Sequence, residues 1–365
     1  MTAAAAAATG MRIAVLGAGA WGTTIARVLA QNAASHDDMF YGTVDLYVEP
    51  IASDVNLAKT INSAHENPRY LPGIPLPDNV HASSDLLSVV SRAAILVFVC
   101  PHQFLGTLLD RIAAHVRRDA IAISLIKGLH AHDARMRTMS GMIRDALRID
   151  CSALSGANVA DQVAREQFSE ATIGCRNVAH AAVFQAMFQR PYFRVQATTD
   201  IDGLEACGAL KNIVALAAGF VDGLDLGTNT KAAVVRIGME ETMRLARVLF
   251  GDHVCDRTML LSCGVADMIT TCFSGRNRRV AEQFVRTGTP FDRLEAEMLH
   301  GQKLQGTLSA AEVHDVIVAR GLTARFPLFA QTYRICFQGA PPRSIVDVLV
   351  QQPHEVVVAH HPDAA

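Results

Sequence analysis

The sequence predicts an α/β protein, with a doubly wound parallel sheet in its first half and an all-α domain in its second. Three observations lead there. Up to Thr199, short apolar strand-like runs alternate with helical stretches, the pattern of a βαβ series. A glycine-rich turn follows the first of those runs and opens a helix. After Thr199 the texture changes to long helical segments, and the domain boundary is placed there. The division expected is a tail at 1–11, a sheet domain at 12–199, a helical domain at 200–353 and a second tail at 354–365.

The elements follow in order. Arg12–Leu16 is the first strand, and Gly17-Ala-Gly-Ala-Trp-Gly22 leads from it into a helix carrying Ile25, Val28 and Leu29. Gly17, Gly19 and Gly22 satisfy G-x-G-x-x-G in the strand-to-helix setting that gives this spacing meaning. The first glycine permits a tight turn, the second lets backbone approach a pyrophosphate, and the third lets helix and strand pack closely. The sheet is therefore expected to be of the Rossmann type, with a dinucleotide at this turn. Val44–Val48 is the second strand. Ala94–Val99 and Ala120–Ile126 are nearly continuous apolar runs, as parallel strands covered on both faces require. Ser152–Leu154 and Ala171–Gly174 add short strands. The second half reads as helices at Asp202–Leu224, Asn229–Phe250, a series from Val265 through Arg286, Leu308–Arg320 and Phe326–Phe337.

Composition narrows the function classes. A chain of 365 residues fits two domains, at roughly 100–200 residues each. With 50% hydrophobic and 19% charged residues it is not a disordered chain. Lys+Arg total 33 and Asp+Glu 35, a net charge of −2, so no general attraction to nucleic acid or anionic membrane is implied. Apolar runs such as Ala93–Cys100 fall well short of the roughly 18 residues of a membrane span. The eight cysteines form no C-x-x-C pair, and several lie in apolar segments, which fits buried thiols in a reducing compartment. His130 and His132 are read as a loop and His360–His361 as a tail, and no metal site is expected. Residues 3–8 are all alanine with no Lys or Arg before them, and the chain ends Pro-Asp-Ala-Ala. Neither end reads as a targeting signal, and a cytoplasmic protein is the expectation.

Several side chains stand where charge or exposure asks for a reason. Glu49 follows the second strand, where a carboxylate accepts from a ribose 2′-OH and repels a 2′-phosphate. No Arg or Lys occurs between Val44 and Asn56, which favours NAD; the alternative for Glu49 is plain surface charge. The interval from Gly22 to Glu49 is long, with an insertion around Ser35–Gly42. Phe104, in Pro101-His-Gln-Phe104 after the Ile95–Val99 run, is a cofactor contact or a core phenylalanine. Lys127 ends a strand and projects near the same sheet edge, as a substrate contact or a surface lysine. Lys211 is the only charge in Ala206–Phe220. Burial of an ammonium is costly and lowers its pKa, which suits proton exchange near neutrality; the alternative is a lysine reaching solvent at a helix edge. Asp267 and Thr271 are i,i+4 on one helix face, and Asp267 is a candidate partner for Lys211. Of the arginines in Gly275-Arg-Asn-Arg-Arg279, Arg276 beside the glycine is the candidate phosphate ligand; the alternative is a solvated face.

These motifs converge. The chain resembles the NAD-dependent glycerol-3-phosphate dehydrogenases of the eukaryotic cytosolic type, from about Arg12 to about Pro353. The resemblance is carried by His65-Glu-Asn-Pro-Arg-Tyr-Leu-Pro-Gly73, Pro101–Phe104, Ser124-Leu-Ile-Lys-Gly128, Gly156-Ala-Asn158 and Cys207-Gly-Ala-Leu-Lys-Asn-Ile-Val214. It continues in Asn229-Thr-Lys-Ala-Ala233, Cys263-Gly-Val-Ala-Asp267, Gly275-Arg-Asn277, Gly301-Gln-Lys-Leu-Gln-Gly306 and Phe326-Pro-Leu-Phe329. It implies reversible reduction of dihydroxyacetone phosphate by NADH to sn-glycerol 3-phosphate, usually in a homodimer. It implies Lys211 as proton donor and acceptor, Lys127 polarising the carbonyl, Asp267 orienting Lys211, and Thr271 in the hydrogen-bond network. It assigns the phosphate to Asn212, Arg276 and Asn277. The cofactor falls to Gly17, Ala18, Gly19, Ala20, Trp21, Gly22, Phe104 and Ala160, bordered by Lys127 and Arg276, with Lys303 and Gln305 closing over it. The chain departs from the family at Thr228, usually Asp, and at Leu261, usually an acid; it also lacks the aromatic that animal members carry before the acids after the second strand, going straight to Glu49. Three rivals are weighed against this reading. One is a related enzyme acting on a hydroxy acid or phosphosugar acid. Another is an idle NAD-binding sensor, which the intact Lys127, Lys211, Asp267 and Arg276 oppose. The third is a nucleic-acid binder at Arg276–Arg279, which near-neutral charge and 6% aromatic content oppose.

Overall fold

A computed structural model describes residues 10–52, 54–132, 135–299 and 303–351. Its first half is an eight-stranded sheet. In spatial order the strands are Phe193–Thr198, Ser169–Gly174, Asp150–Ser155, Ile121–Ser124, Ile95–Phe98, Met11–Leu16, Phe40–Tyr47 and Val80–Ser83. The six from Asp150–Ser155 to Val80–Ser83 are mutually parallel. Ser169–Gly174 runs antiparallel to Asp150–Ser155 and parallel to Phe193–Thr198. Met11–Leu16 lies between Phe40–Tyr47 and Ile95–Phe98, so the strand order reverses at its carboxyl end, the position where such sheets bind ligands.

Alternation along the first strand explains the two covered faces. Ile13 and Val15 join Ile25, Val28 and Leu29 of the helix Ala20–Ser35 in one core, with Phe184 and Phe188 behind them. Ala14 and Leu16 point the other way, into a core with Val89, Leu105, Leu108, Ile112 and Ile143. Strands buried on both faces lose the polar alternation of a half-exposed sheet, which is why these runs read as continuously apolar.

The second half is helical, built around Ile201–Gly223. Asp200 caps it, accepting from Gly203 N at 2.8 Å, from Cys255 N at 2.9 Å and from Thr258 Oγ1 at 2.6 Å. Around it pack Gly227–Phe250, Asp267–Ser274, Arg276–Thr287 and Gln305–Ala319. Ile201–Gly223 has the length and hydropathy of a membrane span, but its most apolar window is 100% buried within the protein. A central helix is covered on every side and needs no polar face, which is why Ala206–Phe220 carries a single charge.

The differences from the sequence reading are local. Over Ser35–Gly42 the helix runs to Ser35, a short turn follows, and the strand begins at Phe40. His130 and His132 lie in the strand Leu129–His132, paired antiparallel with Arg135–Thr138, and not in a loop. The strand Phe193–Thr198 and the edge strand Val80–Ser83 were not anticipated. The helical series from Val265 divides into a π-helical turn at Ser262–Ala266 and two helices hinged at Gly275. All eight cysteines are free thiols. Among the described residues no cluster of three or more His, Cys, Asp or Glu stands ready for a metal. The N-terminal alanines, His360–His361 and the segment after Pro353 lie outside the described residues.

Candidate active site

The glycine turn is shaped by contact. Gly17 has φ +129°, and a Cβ there would lie 3.0 Å from the Val99 carbonyl oxygen. A Cβ on Gly22 would lie 1.8 Å from the Gly17 oxygen. Both positions therefore require glycine. A Cβ on Gly19 would meet nothing within 4 Å, and Gly19 caps Ala20–Ser35 without a side-chain bond. The first-turn N–H groups of that helix have no side-chain cap, which leaves them available to an anion. Ala18 and Ala20 sit beside this opening, and Trp21 packs edge-on against Phe193. Asn67, fully buried, donates to the Ala18 oxygen at 2.9 Å and to Thr23 Oγ1 at 2.8 Å. It fixes the turn from the hairpin Glu66–Asn67/Leu71–Pro75. The sequence shows Asn67 only as part of a motif; nothing local marks its role. The Ala160 oxygen accepts from Thr24 Oγ1 at 3.1 Å, which brings the helix Ala160–Ala164 against the same helix.

Beyond the second strand, Glu49 accepts from Tyr47 Oη at 2.6 Å and from Arg111 Nη1 at 3.0 and 3.2 Å. It is not an isolated surface charge. Arg111 comes from the helix Leu105–Ile112, outside the Val44–Asn56 window in which the sequence reading looked for cations. Burial, reinforced by Glu49, pushes the Tyr47 phenol up to about 12. Phe104 is 58% exposed, so it is no core residue; it closes the turn His102–Phe104 at the sheet edge. Burial lowers the His102 imidazole, opposed by its hydrogen bond with Gln305. His102 also packs on Gly128, so Gln305 and Lys127 share this corner. Lys303 Nζ lies 2.7 Å from Glu295, and that pairing raises its pKa.

Lys127, Lys211, Asp267 and Thr271 form one cluster. Lys211 Nζ donates to Asp267 Oδ1 at 2.5 Å and to Thr271 Oγ1 at 2.8 Å. Lys127 Nζ donates to the other carboxylate oxygen, Oδ2, at 2.8 Å and to the Gly156 oxygen at 2.9 Å. Asp267 is 2% exposed and Lys211 6%, which rules out a lysine reaching solvent. Burial pushes the Lys211 ammonium down to about 8; Asp267 opposes the shift and Lys127 adds to it. The small residues before Lys211 have a geometric reason. A Cβ on Gly208 would lie 2.9 Å from Ser155 Oγ, so the helix reaches the sheet edge, and Lys127, only with glycine there.

One turn along, Asn277 Nδ2 donates to Asn212 Oδ1 at 3.0 Å, and Gly306 N donates to Asn277 Oδ1 at 2.9 Å. This chain ties together the helices that begin at Ile201, Arg276 and Gln305. Arg276 is the first residue of a twelve-residue helix with no side-chain cap. Burial, then Arg279, lowers its pKa. Arg278 is committed elsewhere, to Asp222 at 2.5 Å and Glu282 at 2.9 Å. The arginine cluster is thus not a uniform solvated face.

Two family regions match this chain. The N-terminal region of NAD-dependent glycerol-3-phosphate dehydrogenase matches residues 12–181, and its C-terminal region matches 200–347. The chain belongs to the NAD-dependent glycerol-3-phosphate dehydrogenases. The cytoplasmic NAD(+) glycerol-3-phosphate dehydrogenase of Bos taurus is 44% identical over 350 residues, covering 95% of this chain and 100% of the relative. The glycerol-3-phosphate dehydrogenase structure from Plasmodium falciparum superposes with a TM-score of 0.90 at 38% identity, covering 96% of this chain and 97% of that one. That from Saccharomyces cerevisiae gives 0.88 at 38% identity, covering 94% and 100%. As a glycerol-3-phosphate dehydrogenase this chain is an oxidoreductase with NAD as cofactor, and the open helix terminus at Gly19 fits that cofactor. Thr228 lies in the first turn of Gly227–Phe250, and Leu261 just before the π-helical turn that leads into the helix of Asp267.

Proposed function

We propose that the protein catalyses reversible reduction of dihydroxyacetone phosphate by NADH to sn-glycerol 3-phosphate, with Lys211 as general acid and, in reverse, general base. The single observation carrying this reading is the buried Asp267 carboxylate shared by two ammonium groups, Lys211 and Lys127. Two cations on one anion leave a net positive charge in a water-poor site, which suits the negative charge that builds on a carbonyl oxygen during reduction. NADH, when bound, supplies the hydride equivalent. Lys211 holds a proton for the substrate oxygen, at a pKa of about 8 that lets it leave and return near neutrality. Lys127 polarises the same oxygen and borders the cofactor. Asp267 and Thr271 orient Lys211.

Asn212, Arg276 and Asn277 hold the substrate phosphate, with the uncapped helix start at Arg276 favouring an anion. Binding energy from that remote anchor is spent on orientation. Gly17, Ala18, Gly19, Ala20, Trp21, Gly22, Glu49, Phe104 and Ala160 contact NAD, bordered by Arg276, with Lys303 and Gln305 closing over it. The same reading includes a homodimer, a cytoplasmic location and a domain division at 199/200. The division is supported by a last strand ending at Thr198 and a long helix starting at Ile201.

The test follows NADH oxidation by the purified protein with dihydroxyacetone phosphate, with Lys211→Ala in parallel. Turnover is expected in the wild type, with kcat in the variant lower by about 10²–10⁴-fold. Wild-type protein that binds NADH without turning over this substrate points to another one. Unchanged turnover in Lys211→Ala removes the proton role.

A further inference from the structure

We infer that Arg111 is a coenzyme-specificity residue, a latent acceptor for a 2′-phosphate that Glu49 holds neutralised at the adenosine end of the cofactor site. The inference rests on the cofactor placement proposed above. A dinucleotide lying across the reversal point of this sheet places its adenosine ribose beyond the strand Phe40–Tyr47, where Glu49 stands. Arg111 reaches the same corner from the helix Leu105–Ile112, which follows the strand on the other side of the glycine turn.

The three side chains close a ring. Tyr47 Oη donates to Glu49 at 2.6 Å, Arg111 Nη1 donates to both Glu49 oxygens, and Arg111 Nη2 donates to Tyr47 Oη at 3.1 Å. Tyr47 is buried and fixes the phenol oxygen, while the Glu49 and Arg111 side chains are 54% and 43% exposed. The pair is therefore anchored from below and open on the ligand side. A guanidinium carries five N–H donors in a planar fork suited to phosphate, and this arrangement does not exhaust them. With Glu49 ionised, the pair is neutral overall and a 2′-phosphate meets a carboxylate. With a neutral residue at 49, the same arginine, still oriented by Tyr47, presents an uncompensated fork. Coenzyme choice at this corner is then set by the balance between two residues 62 positions apart, and Arg111 supplies the attractive half.

The test is equilibrium binding of NADH and NADPH to the full-length protein by calorimetry. It compares the wild type, Glu49→Gln, Glu49→Ser and Glu49→Gln/Arg111→Gln. Glu49→Gln and Glu49→Ser are each expected to shift the NADPH/NADH affinity ratio towards NADPH by about tenfold or more, and Arg111→Gln in the first background to abolish that gain. An equal gain in the double variant, or no gain in either single variant, overturns the role of Arg111. Binding is read without substrate, so a wrong choice of ketone shows in the turnover assay and leaves this ratio readable.

Discussion

Asp267→Asn removes the charge at the centre of the cluster and one of its two accepting oxygens. The amide keeps the size of the carboxylate, but only one of the two ammonium groups keeps an acceptor there. Asp267 lies 2.5 Å from Lys211 Nζ and 2.8 Å from Lys127 Nζ, so both ammonium groups lose their only close counter-charge among the described residues. Lys211 already sits at about 8, lowered by burial and by Lys127, with Asp267 the main opposing influence. Removing Asp267 leaves only downward influences. A unit charge pair at about 4 Å is worth about 4 kcal/mol at an effective dielectric near 20. At about 1.36 kcal/mol per pKa unit, that sets the scale of the fall at a few units. A fall of about one unit takes the protonated fraction of Lys211 at a pH near 8 from about half to about a tenth. On the proposed mechanism reduction needs the ammonium form, so its rate drops as pH rises through the Lys211 pKa. The assay is the pH profile of kcat/KM for dihydroxyacetone phosphate reduction, in parallel with glycerol 3-phosphate oxidation. The descending limb of the reductive profile is expected to move down by one unit or more, and the ascending limb of the oxidative profile to move with it. A reductive limb that stays in place, or moves up, refutes the assignment of that limb to Lys211 under Asp267 control.

Two further outcomes test separate parts of the structure. Arg276→Ala is expected to cost dihydroxyacetone phosphate reduction about tenfold or more in kcat/KM while changing NADH affinity little; equal losses in both would move Arg276 to the cofactor. Glu241 is buried, accepts from Leu328 N at 2.8 Å and Phe329 N at 3.0 Å, and is raised by burial from 4.5 to about 7. Its folded value lies above its unfolded one, so its contribution to stability is full below about 4.5 and is lost as pH rises through about 7. The amount lost is at most about 3 kcal/mol. Thermal unfolding of Glu241→Gln should show a shallower decline across that window than the wild type, and parallel curves would show that Glu241 does not titrate there.

Much of this was legible in the chain because the deciding features are local. The glycine spacing after a strand, the lone lysine in Ala206–Phe220 and the Asp267/Thr271 pair on one helix face all carry their meaning within a few residues. Features that depend on distant pairing were not legible. Arg111 sits 62 residues from Glu49, so no window around the second strand reveals it. Asn67 reaches the glycine turn from a hairpin 49 residues away. The edge strand Val80–Ser83 is short, and the antiparallel turn-back at Ser169–Gly174 leaves no mark in composition, because strand direction is set by the connection and not by the side chains. The end of the helix Ala20–Ser35 was not legible either, since Ala34 and Ser35 are exposed and carry no periodic signal.

Two lysines share Asp267, and burial distinguishes which of them is suited to give up a proton. Each ammonium has three N–H groups. Lys211 spends two on Asp267 and Thr271, Lys127 two on Asp267 and the Gly156 carbonyl, so each keeps one for a substrate oxygen. An amine that has given up that third proton still has two N–H groups for its protein partners, and its lone pair faces the new hydroxyl, so the hydrogen bonds permit transfer from either lysine. Burial separates them: the enclosed Lys211 site disfavours the charged form, while the Lys127 side chain is 27% exposed. On the mechanism proposed above, this favours Lys211 as the group that moves the proton, with Lys127 as the cation beside the oxygen on which negative charge builds.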